Sequence, residues 1–499
     1  MATKPSFTAS QAAEQITRRN LSWNENFQQP VTLTFGFRTG APAYSLEDSD
    51  TKGKTIQPVT TSEAQAIRTV LANFSDIANI TFVDTDYGDN ATLLFADYSN
   101  SKGFAAGFAY MPETRNRLAT SQEGDVYLNI GTIPPYERIG NYGWSTLVHE
   151  TLHALGLEHP GNYDAAQGVS LTYKNNAEYK EDTPQYSIMS YFKETDTGAN
   201  WRGRENGTPM IDDILALQRF YGANPLAGLG DTTYGFNANA RPEYRLSSSS
   251  DTKVFCIYDP NGTNTLDFSG YDTNDVIDLR PGHFSSVGGL KDNVSIAYGS
   301  IVQRAVAGSG DCTLIASDAG CTLQGGTGAN TFRPGTGTDR IIGLGSNQNV
   351  VYYNFERNQA SFSNGQFQGV TITSVQSGTD VLTGISRVYF TDGFLDLDRD
   401  LDITSPSAAE FFPFWPYEWP YDWTYYNTFA RTPDYREGVS LKQVANTLGR
   451  SPDVEGQTYG LDLLGQERLD RADWMMGLAQ PDEGVSRTAT ATSNSFFCI

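Results

Sequence analysis

Histidine and cysteine are both scarce in this chain of 499 residues, which holds only four of each. Cys256, Cys312, Cys321 and Cys498 show no zinc-ribbon spacing, which excludes a thiolate-held structural metal. The spacing of Cys312 and Cys321 permits a local disulfide without requiring one. Long apolar runs are missing as well. No stretch of 18 or more apolar residues exists, so no membrane-spanning helix is expected. The opening segment Met1–Thr8 lacks an apolar core, which argues against an export leader of the usual type there. Positive charge is also in deficit. With 35 basic against 58 acidic residues the formal net charge is -23, a surface that repels nucleic acid and anionic membrane.

What is abundant points to a folded, turn-rich, extended protein. Hydrophobic residues make up 38% of the chain and charged residues 19%, so most of the length is expected to fold. The 48 glycines and 27 tyrosines favour strands joined by tight turns. The length calls for several cores. Four regions follow: 1–228 as a mixed domain, 229–398 as a β-rich domain, 399–427 as a linker and 428–499 as a small helical region. The fold class is α+β.

In the first region, Val31, Leu33, Phe35 and Phe37 alternate with small or polar residues, the pattern of a strand. From Thr61 the period becomes helical through Ile67, Val70, Leu71, Phe74 and Ile77, with Thr60 and Glu63 set as a capping box. Strands are expected at Ile80–Asp84, Ala91–Tyr98, Ala105–Tyr110 and Asp125–Ile130. Helices are expected at Trp144–Leu155, stopped by Gly156, and at Asp212–Tyr221, stopped by Gly222. Beyond Gly230, short β-rich runs alternate with Gly, Asn, Asp and Ser, as in a sandwich, barrel or solenoid. The tract from Phe411 to Trp423 holds three of the seven tryptophans. Its repeated prolines exclude a helix, and it reads either as a docking surface or as a strap packed along a domain.

Three of the four histidines fall in His149-Glu-Thr-Leu-His153-Ala-Leu-Gly156-Leu-Glu-His159. With histidine this rare, chance assembly of the pattern is on the order of one in a million. Residues i and i+4 of a helix share a face, so His149 and His153 can aim at one ion. A third ligand with tetrahedral geometry cannot come from the same short helix. Gly156 permits a left-handed turn that brings His159 back from outside it. Three imidazoles and one open position describe a catalytic zinc site, with Glu150 beside it as general base.

This motif resembles the long zinc motif of the metzincins. Ser187-Ile-Met189-Ser-Tyr191 further resembles the Met-turn of the serralysin branch. Segments such as Ile16–Asn24, Glu158–Tyr163, Asp213–Asn224 and Asp231–Phe236 extend the likeness from about residue 8 to about residue 310. The resemblance implies a zinc endopeptidase cleaving extended polypeptides, with Met189 as an apolar floor beneath the metal. It implies Tyr191 as a switchable ligand that supports the oxyanion. It implies that Ala106, Gly107, Phe108 and Ala109 pair with substrate as an edge strand. It also implies a monomer, released by type I export with an uncleaved C-terminal signal, though the acidic-then-apolar family ending is only partly met by Asn494–Ile499. Only about ten residues precede the first helix of the likeness, which leaves room for at most a very short propeptide.

Serralysins carry calcium-binding Gly-Gly-x-Gly-x-Asp repeats, and here that array is degraded. Gly325-Gly-Thr-Gly-Ala-Asn330 has Asn in place of Asp, and Ala307-Gly-Ser-Gly-Asp-Cys312 keeps one acid. Fewer calcium ions than in typical members are therefore expected. The resemblance implies one candidate site at Gly230, Thr232, Asp259, Asn261 and Asn264, although Asn261 and Asn264 stand where the family has Gly and Asp. Ser377–Asp392 resembles the closing segment common after such repeats, and 449–479 resembles an appended helical domain. A competing reading, favoured by the long C-terminal region and the aromatic tract, is a secreted binding or adhesion protein that kept a zinc site. The presence of Glu150 argues against it, since a pure binder needs no such carboxylate.

Overall fold

The computed structural model describes residues 4–397, apart from 47, 49, 53, 101–104, 165–169, 346–347 and 365–368, together with 411–413. The expectations for 399–427 and 428–499 otherwise lie outside the described residues. The chain divides into two compact units, Met1–Ser346 and Asn347–Ile499. No described helix is long and apolar enough to cross a membrane.

The first unit opens with helix α1 (Ala9–Ile16), strand β1 (Val31–Phe37), strand β2 (Thr55–Gln57) and helix α2 (Thr61–Ile77). Strands β3 (Ile80–Tyr87), β4 (Leu93–Ser99), β5 (Gly107–Ala109) and β6 (Val126–Asn129) follow, then helices α3 (Tyr142–Ala154), α4 (Tyr173–Asn176) and α5 (Ile211–Tyr221). The capping box on α2 is present: Thr60 Oγ1 accepts the Glu63 N–H while Glu63 accepts the Thr60 N–H. Gly222 ends α5 at φ +78, a conformation that costs glycine nothing. The strands form one sheet in the order β3-β1-β4-β6-β5, with β2 paired to β4. Strands β1, β3, β4 and β6 run parallel, whereas β5 runs antiparallel to β6. Residues of β1, α2, α3 and α5 close over one core that includes Leu33, Phe74, Leu147, Leu152 and Phe220. Val254, Cys256 and Ala297, from the β-rich stretch, belong to that same core.

After α5 the strands become very short. They are β7 (Thr233–Gly235), β8 (Phe255–Ile257), β9 (Thr265–Asp267), β10 (Val276–Asp278), β11 (Phe284–Ser285), β12 (Val294–Ile296), β13 (Arg304–Val306), β14 (Thr313–Ile315), β15 (Thr322–Gln324), β16 (Thr331–Arg333) and β17 (Arg340–Ile342). From β13 on, consecutive strands fall alternately in two parallel sheets. β13, β15 and β17 share one sheet with β7 and β9, and β14 and β16 share the other with β10. Thr322 pairs with Arg304 and with Arg340, so each coil is 18 residues long. The middle residues Ala305, Leu314, Leu323, Phe332 and Ile341 are fully buried between the sheets. Degraded repeats thus still wind a β-roll, because one apolar residue every nine fills its interior.

In the second unit, β18 (Val350–Tyr352) pairs with β22 (Arg387–Phe390), which forms a hairpin with β23 (Gly393–Asp396). β19 (Ala360–Asn364), β20 (Val370–Ser374) and β21 (Gly378–Thr383) make an antiparallel meander. The first three residues of the aromatic tract form β24 (Phe411–Pro413), which adds antiparallel to β23.

One question left open by the sequence is answered, and one strand expectation needs correction. Cys312 and Cys321 are buried free thiols, not a disulfide. The Cys312 thiol donates to Thr273 O, and the Cys321 thiol faces Ser317. The strand expected at Ala105–Tyr110 is only three residues long, and Ala106 lies just before it.

Candidate active site

Helix α3 is fixed at its start by Asn141, whose side chain accepts the Trp144 N–H, and by Trp144, whose indole donates to Gly207 O. It is buried on nearly every side. His149 and His153 lie one turn apart on it, and their rings meet edge to face with centroids 4.7 Å apart. The helix stops at Gly156, which takes φ +100. An added Cβ there would lie 1.7 Å from Leu21 O, so backbone conformation and packing both require glycine. The chain then returns His159 to the same point.

Each of the three rings is held at Nδ1 by a backbone carbonyl. His149 donates to Ile188 O at 2.9 Å, His153 to Leu157 O at 2.6 Å and His159 to Tyr163 O at 2.9 Å. Asp164 also meets His159 Nδ1, at 3.1 Å. Those bonds fix the tautomer and leave all three Nε2 lone pairs facing one another. The Nε2 of His159 lies 3.1 Å from that of His153 and 3.3 Å from that of His149. Bonds of about 2.0–2.1 Å from a tetrahedral zinc would set nitrogens about 3.3–3.4 Å apart, so the donor set fits zinc. Burial, reinforced by His159, lowers the His149 pKa to about 3 and pushes His153 well below its ordinary value. Both rings are thus neutral and able to ligate. Among the described residues this is the one cluster of three or more His, Cys, Asp or Glu side chains suited to a metal.

Glu150 follows His149 on the same helix and is 8% exposed. Burial raises its pKa to about 8. It lies against the edge strand β5: a Cβ built on Gly107 would sit 2.8 Å from Glu150 Cγ. On its inner side β5 pairs with β6, Phe108 opposite Tyr127 and Ala109 opposite Val126. Ala106 O accepts the Asn129 N–H on that side as well. Among the described residues no strand pairs with the outer side of β5.

The Tyr191 ring lies 4.3 Å from that of His159 and 5.7 Å from that of His149, and the residue is 40% exposed. Burial, with Glu150 nearby, drives its pKa upward, so the phenol keeps its proton. Met189 is fully buried in the core that also holds Val148 and Leu152. Its turn is tied to α5 by Asp213, which the sequence reading passed over. Asp213 accepts Ser187 Oγ at 2.6 Å, the Ile188 N–H at 2.8 Å and the Met210 N–H at 2.9 Å. The available signal was an acid at the third position of a helix that opens after Pro209. Because Ile188 also supplies the carbonyl that holds His149, Asp213 positions a candidate metal ligand through the backbone.

The candidate calcium residues also come together, at the first turn of the roll. Thr232 N–H donates to Asn264 Oδ1 at 3.0 Å, Asn261 N–H to Asp259 Oδ1 at 3.4 Å, and Thr232 Oγ1 to Gly230 O at 3.4 Å.

A family model described as Peptidase M10 serralysin C terminal matches residues 223–394. Serralysin A of Dickeya chrysanthemi is 40% identical over 320 residues, which is 62% of this chain and 64% of that protein. The chain is similar to the serralysins. Metallopeptidase AprA of Pseudomonas marginalis is 39% identical over 325 residues, and the serralysin of Proteus mirabilis is 34% identical over 331. Each of these two alignments takes in 63% of this chain and 66% of the other protein. The likeness therefore stops short of two thirds of the curated relatives' length.

Proposed function

We propose that the protein is a secreted zinc endopeptidase that hydrolyses extended polypeptides. The observation that carries this reading is the convergence of three Nε2 atoms at zinc spacing, with a buried carboxylate set between them and an open strand edge. His149, His153 and His159 would hold the metal. Zinc so bound acts as a Lewis acid on a carbonyl and lowers the pKa of water toward roughly 7.

The chain's own groups supply the rest. The outer edge of β5 presents backbone donors and acceptors to an extended peptide, which aligns the scissile bond beside Glu150. A cation held beside it would favour the ionised carboxylate, and Glu150 then removes a proton as water oxygen attacks the carbonyl carbon. It returns that proton to the amine nitrogen as the C–N bond breaks, so the carboxylate is regenerated. The neutral Tyr191 phenol donates a hydrogen bond to the oxygen that gains charge. Met189 packs beneath the three imidazoles as a polarisable floor. Secretion is supported by the serralysin likeness and fits the strongly acidic composition.

The test is casein hydrolysis by wild type beside Glu150→Gln, with zinc measured in both. We expect equal zinc and a loss of turnover of about a thousandfold in the variant. A wild type that binds zinc and cleaves nothing would overturn the protease reading.

A further inference from the structure

We propose that the β-roll holds itself together without calcium, because asparagine side-chain amides occupy the places that cations would take at its turns. Two turns separated by 66 residues, at Asn264 and Asn330, have the same construction. Asn330 Oδ1 accepts the Cys312 N–H of the neighbouring coil at 3.3 Å. That bond sets the orientation of the amide, and its Nδ2 then donates to Gly326 O at 3.1 Å and Gly328 O at 2.8 Å. Asn264 repeats the arrangement. Its Oδ1 accepts the Thr232 N–H at 3.0 Å, and its Nδ2 donates to Asn261 O at 2.7 Å and Ile301 O at 2.9 Å. Both residues are fully buried.

Calcium at such a turn needs oxygens at about 2.3–2.6 Å and draws its affinity from carboxylates. Here the inward-facing carbonyls already receive N–H donors, and the carboxylate of the repeat has become an amide. An NH2 group brings two donors to two carbonyls, so it satisfies them without a net charge in the interior. Asn261 adds to this by donating Nδ2 to Ala227 O at 2.7 Å and Pro225 O at 2.9 Å. At the candidate site of Gly230, Thr232, Asp259, Asn261 and Asn264 one carboxylate remains, but Asp259 Oδ2 accepts the Tyr234 hydroxyl at 2.8 Å and Oδ1 the Asn261 N–H at 3.4 Å, so this donor set does not fit calcium.

A turn that keeps its acid uses it in a related way. Asp339 accepts the Cys321 N–H at 2.6 Å with one oxygen and the Gly335 N–H at 2.8 Å with the other. Asp311 accepts the Ala329 N–H at 2.8 Å and Asp318 the Thr336 N–H at 2.9 Å, each 18 residues on. These bonds join one coil to the next with the period of the roll.

The test uses the full chain in resin-treated buffer with zinc kept present, so that calcium alone is varied. Bound calcium is measured by mass spectrometry and unfolding by far-ultraviolet circular dichroism, with and without added calcium. Wild type should retain no calcium and should melt within about 1 °C in the two buffers, as linkage requires when nothing binds. Asn330→Asp and Asn264→Asp should melt lower without calcium, because a carboxylate then faces carbonyl oxygens. Added calcium should restore them. Retention of calcium by wild type, or a rise of several degrees on adding it, would overturn the proposal. So would Asp variants that melt as wild type does in both buffers. Should an Asp variant fail to fold, the wild-type pair of measurements decides alone. Protease activity enters none of these readouts, so loss of the endopeptidase reading would leave this one standing.

Discussion

Gly107→Ala tests the proposed general base without altering any group that bears chemistry. The added methyl would lie 2.8 Å from Glu150 Cγ, 3.2 Å from Glu150 Cδ and 3.1 Å from Tyr127 O. Carbon pairs rest at about 3.5–4.0 Å, so relief demands a separation of about 0.7 Å or more. The strand cannot retreat freely, because Tyr127 belongs to β6 and Gly107 is paired across to Leu128. The displacement therefore falls largely on Glu150. Misplacing a reacting group by about 1 Å costs on the order of a hundredfold, so a loss of about 30- to 100-fold in kcat/KM is expected. The three histidines are untouched, and zinc content should remain at wild-type level. The assay is cleavage of a fluorogenic peptide, run with metal analysis and a melting curve on the same sample. A kcat/KM within about threefold of wild type, at equal zinc and equal melting temperature, would show that Glu150 is not held where catalysis requires it.

Three further outcomes follow from the same structure. Asp213→Ala strips a buried acceptor from Ser187, Ile188 and Met210; at about 1–3 kcal/mol for each orphaned donor, urea unfolding should register a loss of at least about 3 kcal/mol, and zinc affinity should fall with it. Gly156→Ala forces a methyl into Leu21 O at φ +100, so the purified variant should melt lower and hold less zinc, because the path to His159 is bent. Asp97 is buried, lies near Glu63 and accepts the Tyr136 hydroxyl at 3.0 Å, and burial raises its pKa to about 8. A carboxylate raised in the folded state contributes stability that is complete below its unfolded pKa of about 4 and is lost as pH rises through the folded value. Melting temperature should therefore decline between about pH 5 and about pH 9 in wild type and decline less in Asp97→Asn, and equal slopes would exclude Asp97 as the cause.

The features legible in the sequence are those whose partners lie close along the chain. The i, i+4 rule places His149 and His153 together, and Thr60 and Glu63 close a capping box three residues apart. Alternation marks β1, and rarity of histidine makes one motif stand out. Even the roll was partly written there: a buried residue recurs every nine positions from Ala305 to Ile341, although the degraded glycine pattern concealed it.

The rest depended on contacts between distant residues, which no local period encodes. Only the fold brings β5 against Glu150 across more than 40 positions, and only the fold joins Asp213 to the turn that supports His149. Cys312 and Cys321 remain free because the coil turns each thiol toward a neighbouring backbone or hydroxyl group and not toward the other. Composition could record that Asn replaced Asp at residue 330. Which end of that amide faces the carbonyls was decided by the Cys312 N–H of the adjacent coil, since a buried donor and two buried acceptors must all be paired.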